Sequence, residues 1–393
     1  MRSITTAHLL ADKHLLRTVE RMRPDADPAE VAARAAWSVL TEPGDGIAGA
    51  LVDAFGPQGA LDQALSDATL RAPLEVVEAR AMNEAVARWA PRADPRAVGA
   101  ALRDAEAVGA RILLPEDPEW PAGLADLGPH APLMLWVRGS TEALIADESV
   151  SVVGARASTG YGERIAAEIA GDLAASGVSI VSGGAYGIDG MAHRAALGVG
   201  GITVAFLAGG VDRSYPAGHQ QLFERIRAGG AVVSEVPCGA APTKWRFLQR
   251  NRLISAAGLA TVVVEAGWRS GTLNTAGHAA ALGRPLGAVP GPVSSAASAG
   301  CHRLLREYAA ICVTSAAEVR ELWADAAGES RAQPPADPDR VRLMDALSTR
   351  APRDAMELSK RSGLSAERVH SILGMLDLEG GAVRRETGWI RAE

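Results

Sequence analysis

The sequence predicts an α/β protein with a mostly parallel sheet, preceded by a helical domain and followed by a winged-helix-like domain. Four short apolar runs in residues 149–290 each end in a Gly/Ser/Thr-rich turn that leads into a helical pattern, which is the order of parallel βαβ units. Parallel strands place such turns at one edge of the sheet, where ligands bind at the topological switch point. We therefore expect the four turns to form a surface for a polyanion or a nucleotide.

Length and composition limit the classes of protein to consider. The chain has 393 residues, enough for two or three domains, and a net charge of −6, so nucleic-acid binding would need a local basic surface. No apolar run is long enough for a transmembrane helix, and the first residues lack the apolar core of a signal peptide. The three cysteines form no CxxC pair, which disfavours a disulfide framework or zinc site. We expect a cytoplasmic protein with no metal, cofactor or membrane association.

Two common nucleotide-binding motifs are missing. None of the three lysines, Lys13, Lys244 and Lys360, follows a glycine, so the P-loop GxxxxGK[ST] is excluded. The first turn reads GARASTG from Gly154 to Gly160 and lacks the dinucleotide fingerprint GxGxxG. ATP-driven motors and classical NAD binding are therefore disfavoured.

Residues 1–107 show the three- and four-residue apolar spacing of helices, interrupted by Gly-containing turns. This pattern predicts a small bundle of the SAM or helix–hairpin–helix type. Turn amides of such bundles can bind DNA phosphates, whereas most short bundles are scaffolds, and both roles stay open. The Pro-rich stretch 111–139 then predicts a lead-in and an extra strand that widen the sheet.

The first turn contains the candidate residues Gly154, Arg156, Ser158 and Thr159. Amides at a helix start, beside hydroxyls and an arginine, suit an anion site. The same residues equally suit an N-cap next to an exposed arginine. The turn alone does not decide between these interpretations.

The second turn offers Ser182, Gly183 and Gly184, where missing Cβ atoms let the backbone approach a ligand closely. Asp189 and His193 follow four residues apart on one helical face. Because no third ligand accompanies them, we expect a capping carboxylate and a packing histidine rather than a metal or acid–base site.

A basic and aromatic stretch precedes the fourth strand, and no acidic residue lies between Glu235 and Glu265. Cations for phosphates, interleaved with rings for base stacking, are typical of single-strand binding. A solvated helix face, the alternative, normally mixes both signs of charge, so the composition favours binding. The candidates are Lys244, Trp245, Phe247, Arg250, Asn251 and Arg252, with Arg246 as a further cation.

The fourth turn contains Ser270, Gly271 and Thr272, which again place hydroxyls and amides at a helix start. Glu265 ends the preceding strand. It could act as a base, or it could accept hydrogen bonds from neighbouring turn amides or an arginine.

The C-terminal part is predicted to be a separate domain. Residues 328–340 are polar and Pro-containing, as in linkers, and the remainder shows three helical patterns and a β-hairpin, typical of a winged helix. Its third helix offers Arg368 and His370 but also two acidic residues, so a protein-interaction or structural role is as well supported as DNA binding. The predicted domains are 1–107, 108–327 and 341–393, with the linker at 328–340.

Seven motifs, in their order and spacing, resemble the DNA-processing protein A (DprA, also called Smf) family: VVGARASTGYG, SGGAYGIDGMAH, AGGVDRSYPAGH, SEVP, RNRLIS, VVVEAGWRSGTLNTA and PGP. The resemblance is dense over residues 111–320. It implies an extended Rossmann-like domain that binds single-stranded DNA without catalysing a reaction. It also implies a homodimer that acts in natural transformation, shields incoming single strands and helps to load the RecA recombinase.

The resemblance also implies a set of pocket residues: Arg156, residues 182–184, residues 250–252 and residues 270–272. Tyr186 stands where the family often has an arginine, and Ala217 where several relatives carry a basic residue. Both departures remove positive charge, so DNA affinity would depend more heavily on Lys244 and the Arg-Asn-Arg cluster.

Two other functions compete with this interpretation. Nucleotide phosphoribohydrolases of the lysine-decarboxylase-like Rossmann group have similar turns but carry PGGxGTxxE, whose glutamate acts on the ribose. Here Asn274 and Thr275 follow Gly-Thr without a glutamate, which disfavours hydrolysis, although Glu265 leaves it open. An adaptor that binds proteins through its winged helix would tolerate any substitution in the Arg-Asn-Arg segment.

Overall fold

The structure, a computed structural model, describes residues 4–65, 77–327, 338–362, 364–378, 380–385 and 387–392. The chain divides into two compact units, Met1–Ala327 and Gly328–Glu393. The first unit holds both the predicted helical domain and the predicted sheet domain. The predicted linker lies outside the described residues from 328 to 337, and residues 338–340 already belong to a helix.

The N-terminal helices of the first unit pack around two tryptophans. Asp27 starts one of these helices by accepting a hydrogen bond from the amide of Ala29. The Trp37 and Trp89 rings meet edge to face, with centroids 5.1 Å apart, in the middle of the bundle. The helices in the described part of this region are α1 (Thr6–Ala11), α2 (Lys13–Met22), α3 (Pro28–Leu40), α4 (Gly46–Leu65), α5 (Ala79–Trp89) and α6 (Pro95–Ala107).

A large sheet follows these helices. Its strands are β1 (Arg111–Leu113), β2 (Leu135–Gly139), β3 (Ser149–Val153), β4 (Ser179–Ser182), β5 (Thr203–Phe206), β6 (Ala231–Ser234), β7 (Ala260–Val263), β8 (Leu286–Ala288) and β9 (Ile311–Cys312). Their order across the described sheet is β1-β2-β6-β5-β4-β3-β7-β8-β9. Strands β3 to β9 are parallel, and β1 and β2 add an antiparallel edge. The predicted parallel sheet with an extra strand is confirmed.

The strand order reverses beside β3. Strands β4, β5 and β6 extend to one side of β3, and β7, β8 and β9 extend to the other. This arrangement makes the carboxyl ends of β3 and β7 the topological switch point of the sheet.

Helices cover both faces of the sheet. Ile169 and Ile188 pack with apolar strand residues on one face, and Leu253 and Leu304 pack on the other. The N-terminal bundle shares a third core with Trp136 of β2. These helices are α7 (Gly160–Ala175), α8 (Ile188–Gly198), α9 (Gln220–Gly229), α10 (Lys244–Ala257), α11 (Thr272–Ala281), α12 (Ala299–Glu307) and α13 (Ala316–Ala327).

The second unit is a winged helix, as predicted. Its elements are α14 (Pro338–Ala346), α15 (Ala355–Ser362), α16 (Ala366–Leu378), β10 (Ala382–Arg385) and β11 (Gly388–Arg391). Leu343, Leu358 and Ile372 form its core, and the two strands pair as an antiparallel hairpin. Arg368 of the third helix forms an ion pair with Asp339 at 2.9 Å.

Candidate functional site

A cavity of about 660 Å³ opens at the topological switch point. Its walls are the turn after β3, the first half of α10 and the turn that starts α11. It brings together many of the predicted site residues: Gly154, Arg156, Lys244, Phe247, Arg250, Asn251, Ser270, Gly271 and Thr272. The predicted residues Ser158, Thr159, Ser182, Gly183, Gly184, Trp245 and Arg252 do not line it.

Helix α10 presents one face to this cavity. Lys244, Phe247, Leu248 and Asn251 line it, and their spacing of three and four residues places them on one side of a helix. Lys244 is exposed in the first turn of α10, where the positive end of the helix dipole adds to the attraction of an anion. This face therefore combines a free cation, an aromatic ring and an amide.

Two other cations of α10 are paired with carboxylates away from the cavity. Arg246 binds Glu42 of the α3–α4 loop, with Nε 2.9 Å from Oε2. Arg252 is buried, pairs with Glu235 at 2.8 Å and donates to the carbonyl of His130 at 3.0 Å. Arg252 was predicted to bind DNA, but its side chain joins segments of the fold. The composition of the stretch cannot show the pairing of Arg246, because Glu42 lies far away in the sequence.

Arg250 is a buried cation at the cavity wall, only 5% exposed. Its Nη1 donates to the carbonyl oxygens of Gly183, just after β4, at 2.7 Å and of Phe206, the last residue of β5, at 2.6 Å. Burial lowers the pKa of the guanidinium to about 10, against the attraction of Asp189. A Cβ at Gly183 would lie 2.1 Å from Nη1, so this glycine makes room for the arginine.

The other second-turn residues shape the sheet edge. Ser182 is buried, and its hydroxyl donates to the carbonyl of Val152 at 2.6 Å. Gly184 has a φ of 65°, and a Cβ there would clash with the Phe223 ring. Ser182, Gly183 and Gly184 therefore support the cavity through Arg250, whereas Ala185 of the same turn lines it.

His193 has the packing role that the sequence favoured, and Asp189 accepts a hydrogen bond from the preceding turn. Asp189 is buried and accepts from the amide of Ala185 at 3.4 Å, and burial raises the pKa of its carboxyl. His193 is buried against Thr203, with Nδ1 2.7 Å from Oγ1, and burial lowers its pKa to about 3. Asp189 also lines the cavity, which the sequence analysis missed.

Glu265 connects β7 to the first turn. Its carboxylate is 1% exposed and accepts from the amide of Thr159 at 2.9 Å and from its hydroxyl at 2.6 Å. Ser158 donates to Glu163 at 2.9 Å. Of the two roles left open for Glu265, the geometry supports the acceptor of turn hydrogen bonds.

Glu265→Ala should destabilise the protein by about 1–3 kcal/mol, because it removes the acceptor of the Thr159 amide and hydroxyl. Urea unfolding of the full chain measures this change. Glu163→Ala removes an equal charge from a part-buried hydrogen bond with Ser158, whereas Glu265 is buried, so this variant should shift the unfolding midpoint much less. Equal midpoints for the two variants would contradict the structural role of Glu265.

Hydrogen bonds tie the turns around the cavity to one another. The Thr272 hydroxyl donates to the carbonyl of Gly154 at 2.9 Å, and the Thr272 amide donates to Ser270 at 3.2 Å. The Asn251 amide donates to Asn274 at 3.1 Å. These hydrogen bonds hold the cavity open. Less conformational entropy of the protein is therefore lost when a ligand binds.

An aromatic cluster lies at the cavity. The guanidinium of the exposed Arg156 lies 4.6 Å from the centroid of the Phe247 ring, and the Tyr215 ring lies 5.4 Å from it, tilted by 51°. Tyr215 is 49% exposed and was missed by the sequence analysis, although an aromatic residue in a turn at the carboxyl edge is a usable signal. Tyr186 and Ala217 do not line the cavity.

The described residues were also searched for membrane-spanning helices and for clusters of metal ligands. None of the described helices is both long and apolar enough to cross a bilayer. In the same described part of the chain, no three His, Cys, Asp or Glu side chains are grouped as metal ligands.

Comparison with known proteins gives consistent matches over both units. Residues 111–324 match the family model described as DNA recombination-mediator protein A, and residues 327–388 match the DprA winged helix domain. A putative DNA processing protein DprA of Mycobacterium tuberculosis is 44% identical over 72% of this chain and 77% of its own length. Protein Smf of Escherichia coli is 42% identical over 48% of this chain and 50% of its own length.

Solved structures give the same result. DNA processing protein A of Streptococcus pneumoniae is similar with a TM-score of 0.59 and 29% identity, over 73% of this chain and 95% of that protein. DNA processing protein A of Helicobacter pylori, solved to describe its single-stranded DNA binding mode, is similar with a TM-score of 0.50 and 28% identity. That match covers 55% of this chain and 96% of the Helicobacter protein.

Proposed function

The chain belongs to the DNA processing protein A (DprA/Smf) family, and from this premise we propose that it is a non-enzymatic recombination mediator that binds single-stranded DNA at the switch-point cavity. It acts in natural transformation, where it protects incoming strands and helps to load RecA. It works in the cytoplasm as a homodimer. Family membership supports these roles, and the Helicobacter relative's single-strand binding supports the ligand.

One observation carries the proposed ligand: free cations and aromatic rings converge on one cavity. Arg156 and Lys244 are exposed at its lining, and Phe247 and Tyr215 lie together beside them. Cations attract phosphates and rings stack on bases of any sequence, which is the chemistry of single-strand recognition. The predicted contacts at Gly154, Asn251 and residues 270–272 would add turn amides and polar groups.

The competing hydrolase is not favoured. Its mechanism needs a glutamate free to act on a ribose, but Glu265 is buried and already accepts two hydrogen bonds from Thr159. Asn274, which follows the Gly-Thr pair, accepts from Asn251. We therefore expect no release of base from nucleoside monophosphates.

Fluorescence anisotropy with a labelled oligo-thymidine, at several salt concentrations, tests the proposal. The dissociation constant should rise steeply with salt, because binding releases counterions from the strand. A parallel incubation with nucleoside monophosphates should release no base. Absence of binding at low salt would overturn the proposed function. Base release that increases in proportion to the protein concentration would also overturn it.

A further inference from the structure

A second cavity, of about 780 Å³, lies within the first unit on another face of α10. Its walls are residues 42–47, which lead from α3 into α4, the end of α5 and the side chains of Trp245 and Gln249. These two α10 residues are four apart and so share a face, distinct from the face that lines the switch-point cavity. The sequence predicts that Trp245 and Phe247 bind DNA together, but in the structure the two rings line different cavities.

Trp245 leaves a large ring accessible in this second cavity. Its exposed fraction is 56%, whereas Trp89, which also lines this cavity, is 1% exposed. A mostly exposed indole adds little to a core, yet its flat face is well suited to stacking on another ring. Trp245 is therefore available to a ligand, and Trp89 belongs to the wall.

The wall around Trp245 is fixed in place. Glu42 binds both Arg246 and Arg92, and the Gly44 amide donates to Glu235 at 3.2 Å. Asp45 accepts from the Trp89 indole at 3.0 Å. The loop before α4 is thus attached to α10 and to α5, and the cavity does not need to be ordered by its ligand.

The charge of this wall suits a polyanion once the carboxylates are accounted for. Glu42 and Asp45 are both engaged in hydrogen bonds within the wall. Arg92 and Arg88 carry the balancing positive charge, and Arg88 is exposed with its contact to Asp45 at 3.5 Å. Arg246 shares Glu42 with Arg92, so three arginines stand against two carboxylates and one positive charge is left in excess. Such a surface attracts a phosphodiester backbone. An acidic protein would also be attracted, but it lacks the bases that would stack on Trp245.

The two cavities adjoin along α10. Lys244 lines the first and Trp245 lines the second, and the Cα atoms of neighbouring residues are about 3.8 Å apart. Consecutive residues of a helix point about 100° apart, so a strand that leaves the first cavity beside Lys244 passes around the first turn of α10 to reach Trp245. We propose that the second cavity receives a base of the same single DNA strand, stacked on Trp245, so that the binding site extends across α10 to the N-terminal helices.

This inference rests on the proposed function and is tested through strand length. We compare oligo-thymidines of about 4 and about 16 nucleotides, which span the usual site sizes of single-strand-binding surfaces. Trp245→Ala should weaken binding of the longer strand roughly fivefold to a hundredfold, the range for loss of one base stack, and leave the shorter strand unaffected. Trp245→Phe should restore most of the affinity. Trp268→Ala, which removes an indole of similar exposure (57%) that lines neither cavity, is the matched control.

Each outcome decides the matter. If Trp245→Ala binds the longer strand as tightly as the wild type does, the inference is overturned. The proposed function still stands in that case, because both oligonucleotides still bind. Equal weakening of both strands also overturns it, since Trp245 would then act through the first cavity. If neither strand binds the wild-type protein, the proposed function fails and the inference fails with it.

Discussion

Replacing Arg250 with alanine should lower the free energy of unfolding by about 3–5 kcal/mol. The substitution leaves the carbonyls of Gly183 and Phe206 without the donor they share. It also leaves the buried carboxyl of Asp189 without the nearby positive charge that lowers its pKa. Urea unfolding of the full chain, followed by tryptophan fluorescence, measures the loss.

Two variants separate this structural effect from a change at the cavity surface. Arg250→Lys keeps a charge but not the planar fork, so its unfolding midpoint should lie between those of wild type and Arg250→Ala. Lys244→Ala removes an exposed cation from the same helix and should change stability by less than about 0.5 kcal/mol. If Arg250→Ala unfolds at the wild-type midpoint, Arg250 does not support the fold and its effect on DNA binding would be direct.

This result bears on any test that removes Arg250 and Arg252 together. Both side chains are buried, and both hold distant segments: Arg250 at the ends of β4 and β5, Arg252 at Glu235 and His130. If a variant lacking both arginines fails to bind DNA, the loss does not distinguish unfolding of the protein from removal of a DNA contact. The exposed residues Arg156 and Lys244 are the informative positions.

The architecture was predictable because it depends on local patterns. Each parallel strand is a short apolar run that ends at a turn, and a helix follows it, as at Thr159, which caps α7. The compactness of the first unit was not predictable. It depends on Trp136 of β2 sharing a core with Trp37 of the N-terminal bundle, a contact between segments far apart in the sequence.

The candidate site was predictable in its location but not in the roles of its residues. Sequence order shows which turns share the edge of a parallel sheet, and the switch point lies among them. It does not show which cations are already paired. Arg246 and Lys244 are near neighbours of similar chemistry, yet only Arg246 meets a carboxylate, because Glu42 of the α3–α4 loop reaches one side of α10.

Joint replacement of Arg156 and Lys244 by alanine should weaken single-stranded DNA binding at least about a hundredfold near physiological salt. Each charge-assisted contact contributes about 1.5–3 kcal/mol, and about 1.4 kcal/mol corresponds to a tenfold change in affinity. The slope of log affinity against log salt should fall by about 0.7 for each lost phosphate contact. Removing Arg156 also takes a guanidinium from the Phe247 ring.

The matched control removes two positive charges from ion pairs elsewhere. Arg21 pairs with Glu106, and Arg320 pairs with Glu148 at 2.8 Å, and neither arginine lines a cavity described above. If net charge alone governs binding, Arg21→Ala/Arg320→Ala will weaken affinity as much as Arg156→Ala/Lys244→Ala. If the cavity binds the strand, only the latter pair will change both affinity and salt slope. Because the net charge of the chain is −6, local cations must supply the attraction for DNA. Equal effects in the two double variants would contradict binding at the switch-point cavity.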